Sequence, residues 1–127
     1  MANGKYILDD EGNVVEVDDL LEWAEWIEKA GDKKRIAYDE VGEYFVSTVF
    51  LGLDYSFGVG DVPILFETMV FEKKATTEDV LGKQMTFHKD VDIGGSFNRY
   101  ATRAEAEQGH KDTVAKLKMH YENESSR

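Results

Sequence analysis

The chain has no cysteine, a single proline and only three histidines in 127 residues. Without cysteine there is no disulfide and no thiolate metal site, which fits a reducing compartment. No apolar run approaches the ~18 residues of a membrane-spanning helix. The opening residues MANGKYILDD lack the basic, apolar and small-residue order of a secretory signal, so the expected location is cytoplasmic. Positive charge is scarce as well: 15 Lys and Arg stand against 26 Asp and Glu, a net charge of −11. Nucleic-acid binding relies on neutralising phosphates with Lys and Arg, so direct nucleic-acid contact is not expected, and neither is an anionic membrane surface. Motifs of chemistry are missing too. There is no Ser/His/Asp order above chance, no paired-carboxylate spacing and no phosphate-cradling loop. The expectation is a protein that is not an enzyme and carries no cofactor.

What is present is strand-forming and aromatic. At 42% hydrophobic and 12% aromatic the chain has the composition of one globular domain. Residues 44–51 and 64–71, YFVSTVFL and ILFETMVF, are β-branched and aromatic runs bounded by glycine and proline, the strongest single-sequence sign of strands. Neither alternates cleanly between apolar and polar. A sheet wet on one side would do so. The second face is therefore expected to be a subunit or partner surface, and the protein a homo-oligomer.

Around this pair, 5–8 and 14–17 flank the turn cluster Asp9–Asn13 and read as a hairpin. Asp19 with Glu22 opens a helix LLEWAEWIEKA, closed by Gly31, with Leu20, Trp23, Ala24, Trp26, Ile27 and Ala30 on one face. Residues 36–41 form a strand turning at Gly42-Glu43 into the central pair. The region 72–95 reads as one helical turn near 77–82, a strand over 84–91 and a glycine-rich break at 94–96. A short strand at 97–101 precedes a helix opened by the Thr102/Glu105 capping box and running to about His120, with Ala106, His110, Val114, Leu117 and Tyr121 on one side. The expected fold is α+β: an antiparallel sheet of about five or six strands with two amphipathic helices mainly on one face.

Four stretches, YILDDEGNVVEVDDLLEWAEWIEKA, VSTVFLGLDYSFG, PILFETMVF and RYATRAEAEQGH, resemble a family of small bacteriophage and prophage proteins without an assigned activity. The resemblance covers roughly 90 residues in order, and implies a small α+β fold and a bacterial host. In the family pattern a short glycine-rich turn stands where this chain has 72–95, which is thus an insertion in a single domain of residues 1–121. Residues 122–127 are expected to be a frayed tail. The resemblance implies no catalytic residues. By analogy with small acidic phage proteins, it points to binding and modulating a host protein, with an anti-defence role as one form of this.

The residues expected to meet such a partner are Asp54, Tyr55 and Phe57 in the long loop, and Glu22 and Glu25 in the acidic block running from Glu16 to Glu28. Against that, a solvated helix face explains the block as well. The alternative is a small-ligand protein that sequesters a nucleotide-like molecule in a pocket between subunits. Arg35, Arg99 and Arg103 would pair with its phosphates, and Tyr55 or Phe57 would stack on its ring. Glu67, mid-strand, is counted with those arginines in the ligand alternative; burial would make its carboxylate costly unless paired, and a small hydrolase using Glu67 with a histidine is the least supported reading. His88, Asp90 and Asp92 alternate in a metal-compatible spacing that an exposed edge strand explains equally, and no metal is expected.

Overall fold

The structure is a computed structural model describing residues 4–57, 59–92 and 98–125. Its elements in chain order are β1 (Tyr6–Leu8), β2 (Val14–Glu16), α1 (Leu20–Ala30), β3 (Arg35–Val41), β4 (Tyr44–Phe50), β5 (Phe66–Val80), β6 (Lys83–Val91), β7 (Asn98–Tyr100) and α2 (Arg103–Ser125). A 3-10 turn, Gly31–Lys34, links α1 to β3. The fold is α+β, with an antiparallel five-stranded sheet and a separate β1–β2 hairpin. The sheet runs β3-β4-β5-β6, and β7 pairs with the start of β5, on the edge where the end of β6 also pairs.

Local chemistry places the helices. The Asp19 carboxylate accepts from the Leu21 and Glu22 amides at 2.9 and 3.4 Å, capping α1. At α2 the Glu105 amide donates to the Thr102 hydroxyl at 3.1 Å while that hydroxyl donates to the Glu105 carboxylate, a reciprocal box. Burial sorts α1 differently from its helical wheel: Ala30 is buried and Trp23, Trp26 and Ile27 are half-buried, but Leu20 and Ala24 are exposed. Helix α2 extends beyond the expected end near His120 to Ser125. The side chain of Tyr121, the glycine-rich 94–96 segment and residues 126–127 lie outside the described residues.

Strand alternation gives the sheet an inner and an outer face. Val46, Thr48 and Phe50 of β4 and Phe66, Thr68 and Val70 of β5 point inward, and all six are buried. Helix α2 lies over them, contributing Ala106 to one apolar cluster with Phe50 and Phe66, and Leu117 to another with Val46 and Val70. Trp26 of α1 meets Phe50 edge-on at a ring separation of 5.8 Å. Both helices therefore serve the inner face.

The largest departure from the sequence reading lies in 72–95. The helical turn expected near 77–82 is extended chain instead: β5 continues unbroken to Val80 and reverses at Leu81-Gly82 into β6. Leu81 and Gly82 both have positive φ, 51° and 83°, as a two-residue primed hairpin turn requires. Every residue from 73 to 90 is exposed. The ribbon is an arm that leaves the body of the sheet. Its strand from 73 to 80 spans about 26 Å at ~3.3 Å per residue.

Candidate functional site

Two apolar clusters on the inner face are separated by a layer of polar side chains. The Thr48 and Thr68 hydroxyls, on neighbouring strands, lie 2.6 Å apart. Thr48 also lies 2.7 Å from Nδ1 of His110 on α2, and Nε2 of that imidazole lies 2.8 Å from the Asp39 carboxylate on β3. A carboxylate only accepts, so Nε2–H donates to Asp39. In the neutral ring Nδ1 then accepts from Thr48, which in turn accepts from Thr68. Acid, imidazole and hydroxyl stand in the order of a nucleophilic triad. Thr48 and Thr68 are 0% exposed and His110 3%. A hydroxyl sealed beneath a helix meets no substrate, so the arrangement locks α2 to three strands. His110, placed by the sequence on the packing side of α2, is the hub of this chain.

Among the described residues no helix covers the outer face. Tyr38, Phe45 and Phe71 form a row of rings across β3, β4 and β5, with centroids 5.5 and 5.1 Å apart. His88 meets Phe45 edge-on, and the Arg35 guanidinium lies over the Tyr38 ring. Further along the same face, Arg99 Nε donates to the Glu67 carboxylate at 2.8 Å. Glu67 is thus a paired, half-buried carboxylate, with the cross-strand register Glu67↔Arg99 supplying its partner. The Arg99 guanidinium also covers the Tyr55 ring, whose edge meets Phe57.

The loop between β4 and β5 is therefore joined to the outer face through Arg99. Its tip exposes Phe57 (80%), Val59 (79%) and Val62. Asp54 does not point outward with them. Its carboxylate accepts from the Ser56 and Ile64 amides at 2.8 and 2.9 Å, closing the loop. Burial raises the Asp54 pKa, but hydrogen bonds from Ser56 and Ile64 outweigh it and hold the carboxyl below its ordinary 3.8. Asp54 shapes the loop from within. Glu22 and Glu25 are exposed on α1.

The three arginines expected around one ligand do not converge. Arg35 and Arg99 share the outer face but stand on β3 and β7, with β4 and β5 between them. Arg103 belongs to α2, where it donates to the Gly12 carbonyl and to Glu107. A cleft of about 440 Å³ instead lies between α1 and the sheet, lined by Trp23, Ile27, Val49 and Leu53 with Lys34 and Arg35. His88 is turned to the Glu72 carbonyl at 2.9 Å. Among the described residues, no three His, Asp or Glu side chains converge as a metal site needs. Compared with protein-family models, with characterised proteins and with solved structures, the chain matches none.

Proposed function

We propose that this chain is a non-enzymatic accessory protein of the phage or mobile-element type that binds and modulates a host protein, with an anti-defence role as one form of that activity. The contact surface is the outer face of the sheet together with the loop at its end. The observation that carries the reading is the uncovered run of apolar and aromatic side chains from Tyr38, Phe45 and Phe71 to Phe57, Val59 and Val62. A rigid sheet presenting rings beside an exposed loop has the anatomy of an interface core. The buried position of the Asp39–His110–Thr48 arrangement supports the non-enzymatic part. The chain's charge of −11 favours an electropositive partner.

The test is capture from host lysate with the intact chain and with Phe57→Ser/Val59→Ser, whose side chains are exposed and carry no core packing. One host protein captured by the parent chain and lost with the double variant, at unchanged circular dichroism, supports the reading. Equal capture by both sinks it. A second reading, a small nucleotide-like anion, is favoured by the cleft that sets Trp23 beside Lys34 and Arg35. Its check is tryptophan fluorescence titrated with a nucleoside diphosphate. Quenching that saturates, and disappears in Arg35→Glu, supports it; a flat titration removes it.

A further inference from the structure

The arm poses a problem of its own. A two-stranded ribbon is marginal in water by itself, yet this one leaves the body with every side chain exposed. On its β4-facing edge, β5 is paired only as far as Lys73, whose amide donates to the Glu43 carbonyl at 2.8 Å. Among the described residues no strand pairs with 74–80 on that side. Such an edge is a template for another strand.

We infer that the free β5 edge, residues 74–80, is the pairing surface for a second copy of this chain, joined antiparallel about a two-fold axis at Thr77. Charge along the strand selects this occupant. The edge is basic at its base, Lys73 and Lys74, and acidic toward its tip, Glu78 and Asp79. Antiparallel pairing centred on Thr77 uses the whole free edge, placing residue 74 opposite 80, 75 opposite 79 and 76 opposite 78. It lays the basic end of each strand alongside the acidic end of the other, and sets threonine against threonine at the axis. The outer edge of β6 does the reverse. Pairing it with itself about Thr86 would oppose Lys83 to Lys89, the like-charge protection of an edge that is kept single.

The tip fits the same arrangement. Leu81 is 100% exposed and sits at φ 51°, where asparagine or glycine is the strain-free choice. An exposed leucine held at such a position points to a contact. In this register the turn of each arm arrives at the base of the other, where Gly42, Glu43, Glu72, Lys73 and Lys74 line a cavity of about 310 Å³. Leu81 enters that cavity against the lysine stems. The product is a four-stranded ribbon joining two sheets. It uses the end of the sheet opposite the contact loop, so it stands independently of the partner-binding reading.

The test is sedimentation velocity on the full chain at about 100 μM, a concentration at which micromolar dimers are populated. The parent chain is expected to be a dimer. Lys73→Glu/Lys74→Glu is expected to be monomeric, as is Glu78→Lys/Asp79→Lys, because each sets like charges together. Mixing the two variants restores complementarity at both ends and is expected to return a dimer, which also shows that both are folded. Because the chain has no cysteine, Thr77→Cys reports the axis: paired Cα atoms fall within disulfide range, and mild oxidation links the copies. Thr86→Cys, on the opposite strand of the ribbon, is expected not to link. A monomeric parent chain, a dimer indifferent to both charge reversals, a mixture that stays monomeric, or linkage through Thr86→Cys in place of Thr77→Cys overturns the proposal.

Discussion

Thr48→Val is the sharpest probe of what holds this fold in register. Valine matches threonine in shape, so the change removes one hydroxyl from a position that is 0% exposed. Two groups lose their partner at once: His110 Nδ1 at 2.7 Å and the Thr68 hydroxyl at 2.6 Å. A buried polar group left unpaired costs about 1–3 kcal/mol, which sets the loss at roughly 2–5 kcal/mol after the added methyl's gain. A domain of this length has a total stability of about 6–19 kcal/mol, so the effect is large. With a urea m-value of about 2 kcal/mol/M, the unfolding midpoint should fall by ~1–2.5 M at unchanged slope. Thr48→Ser keeps the hydroxyl and should lose only ~1 kcal/mol, for the missing methyl. The triple variant Thr48→Val/Thr68→Val/His110→Leu removes the buried polar groups together, and should lose less than the sum of its single changes. Equal losses for Thr48→Val and Thr48→Ser, or strict additivity in the triple variant, would refute the hydrogen-bonded account and leave simple packing in its place.

Three further outcomes follow from the geometry. Gly109 faces the Tyr100 ring so closely that a Cβ there would overlap it. Gly109→Ala should therefore destabilise by about 1–2 kcal/mol, read as a fall of several °C in Tm, although alanine is the better helix former by ~1 kcal/mol. Asp54 binds its proton more weakly folded than unfolded, because amide hydrogen bonds favour the carboxylate. Its contribution is thus present above the unfolded value and lost as pH falls through the folded one. The Ser56 and Ile64 amide resonances should titrate with a midpoint below 3.8, and Asp54→Asn should abolish that titration. In the Lys73→Glu/Lys74→Glu background, where no partner contact at the tip is lost, Leu81→Asn relieves a left-handed leucine and should slow hydrogen exchange at the arm's closing pair, Val80 and Lys83, by about tenfold, equivalent to ~1 kcal/mol. Unchanged exchange would mean that the turn stores no strain.

The parts legible in the sequence were those whose chemistry is local. The Asp19 cap, the Thr102/Glu105 box and the Gly42-Glu43 turn each lie within a few residues, and the structure contains them where the pattern puts them. The central strands announced themselves by composition. The arm did not. Residues 73–80, KKATTEDV, are polar and helix-tolerant, and they are extended because β6 pairs with them across the Leu81-Gly82 turn. A leucine occupies the turn position where asparagine would have been the readable signal. The polar chain was hidden for another reason. His110 lies 62 residues from Thr48 and 71 from Asp39, so no spacing rule joins them. One signal was available: Thr48, Thr68 and His110 are polar residues on three faces otherwise apolar. Polar groups at such positions need partners, and each other is the economical supply.

This polar layer also governs which surfaces are left uncovered. Both central strands carry apolar side chains on both faces, so hydrophobic burial alone does not say which face α2 should cover. Phe45, Met69 and Phe71 offer a helix nearly as good a bed as Val46, Phe50 and Val70. What distinguishes the inner face is that only there do two hydroxyls stand side by side, 2.6 Å apart, at the height of His110 on the helix. Docking α2 on the other face would leave the paired Thr48 and Thr68 hydroxyls without the imidazole and take Glu67 and Arg99 out of water. The polar chain thus acts as a selector, as a buried polar residue does when it fixes register in a helical pair. Its consequence lies outside the core: with α2 committed to the inner face, the aromatic row and the loop tip are left open. The same residues that hold the fold decide which face is left uncovered.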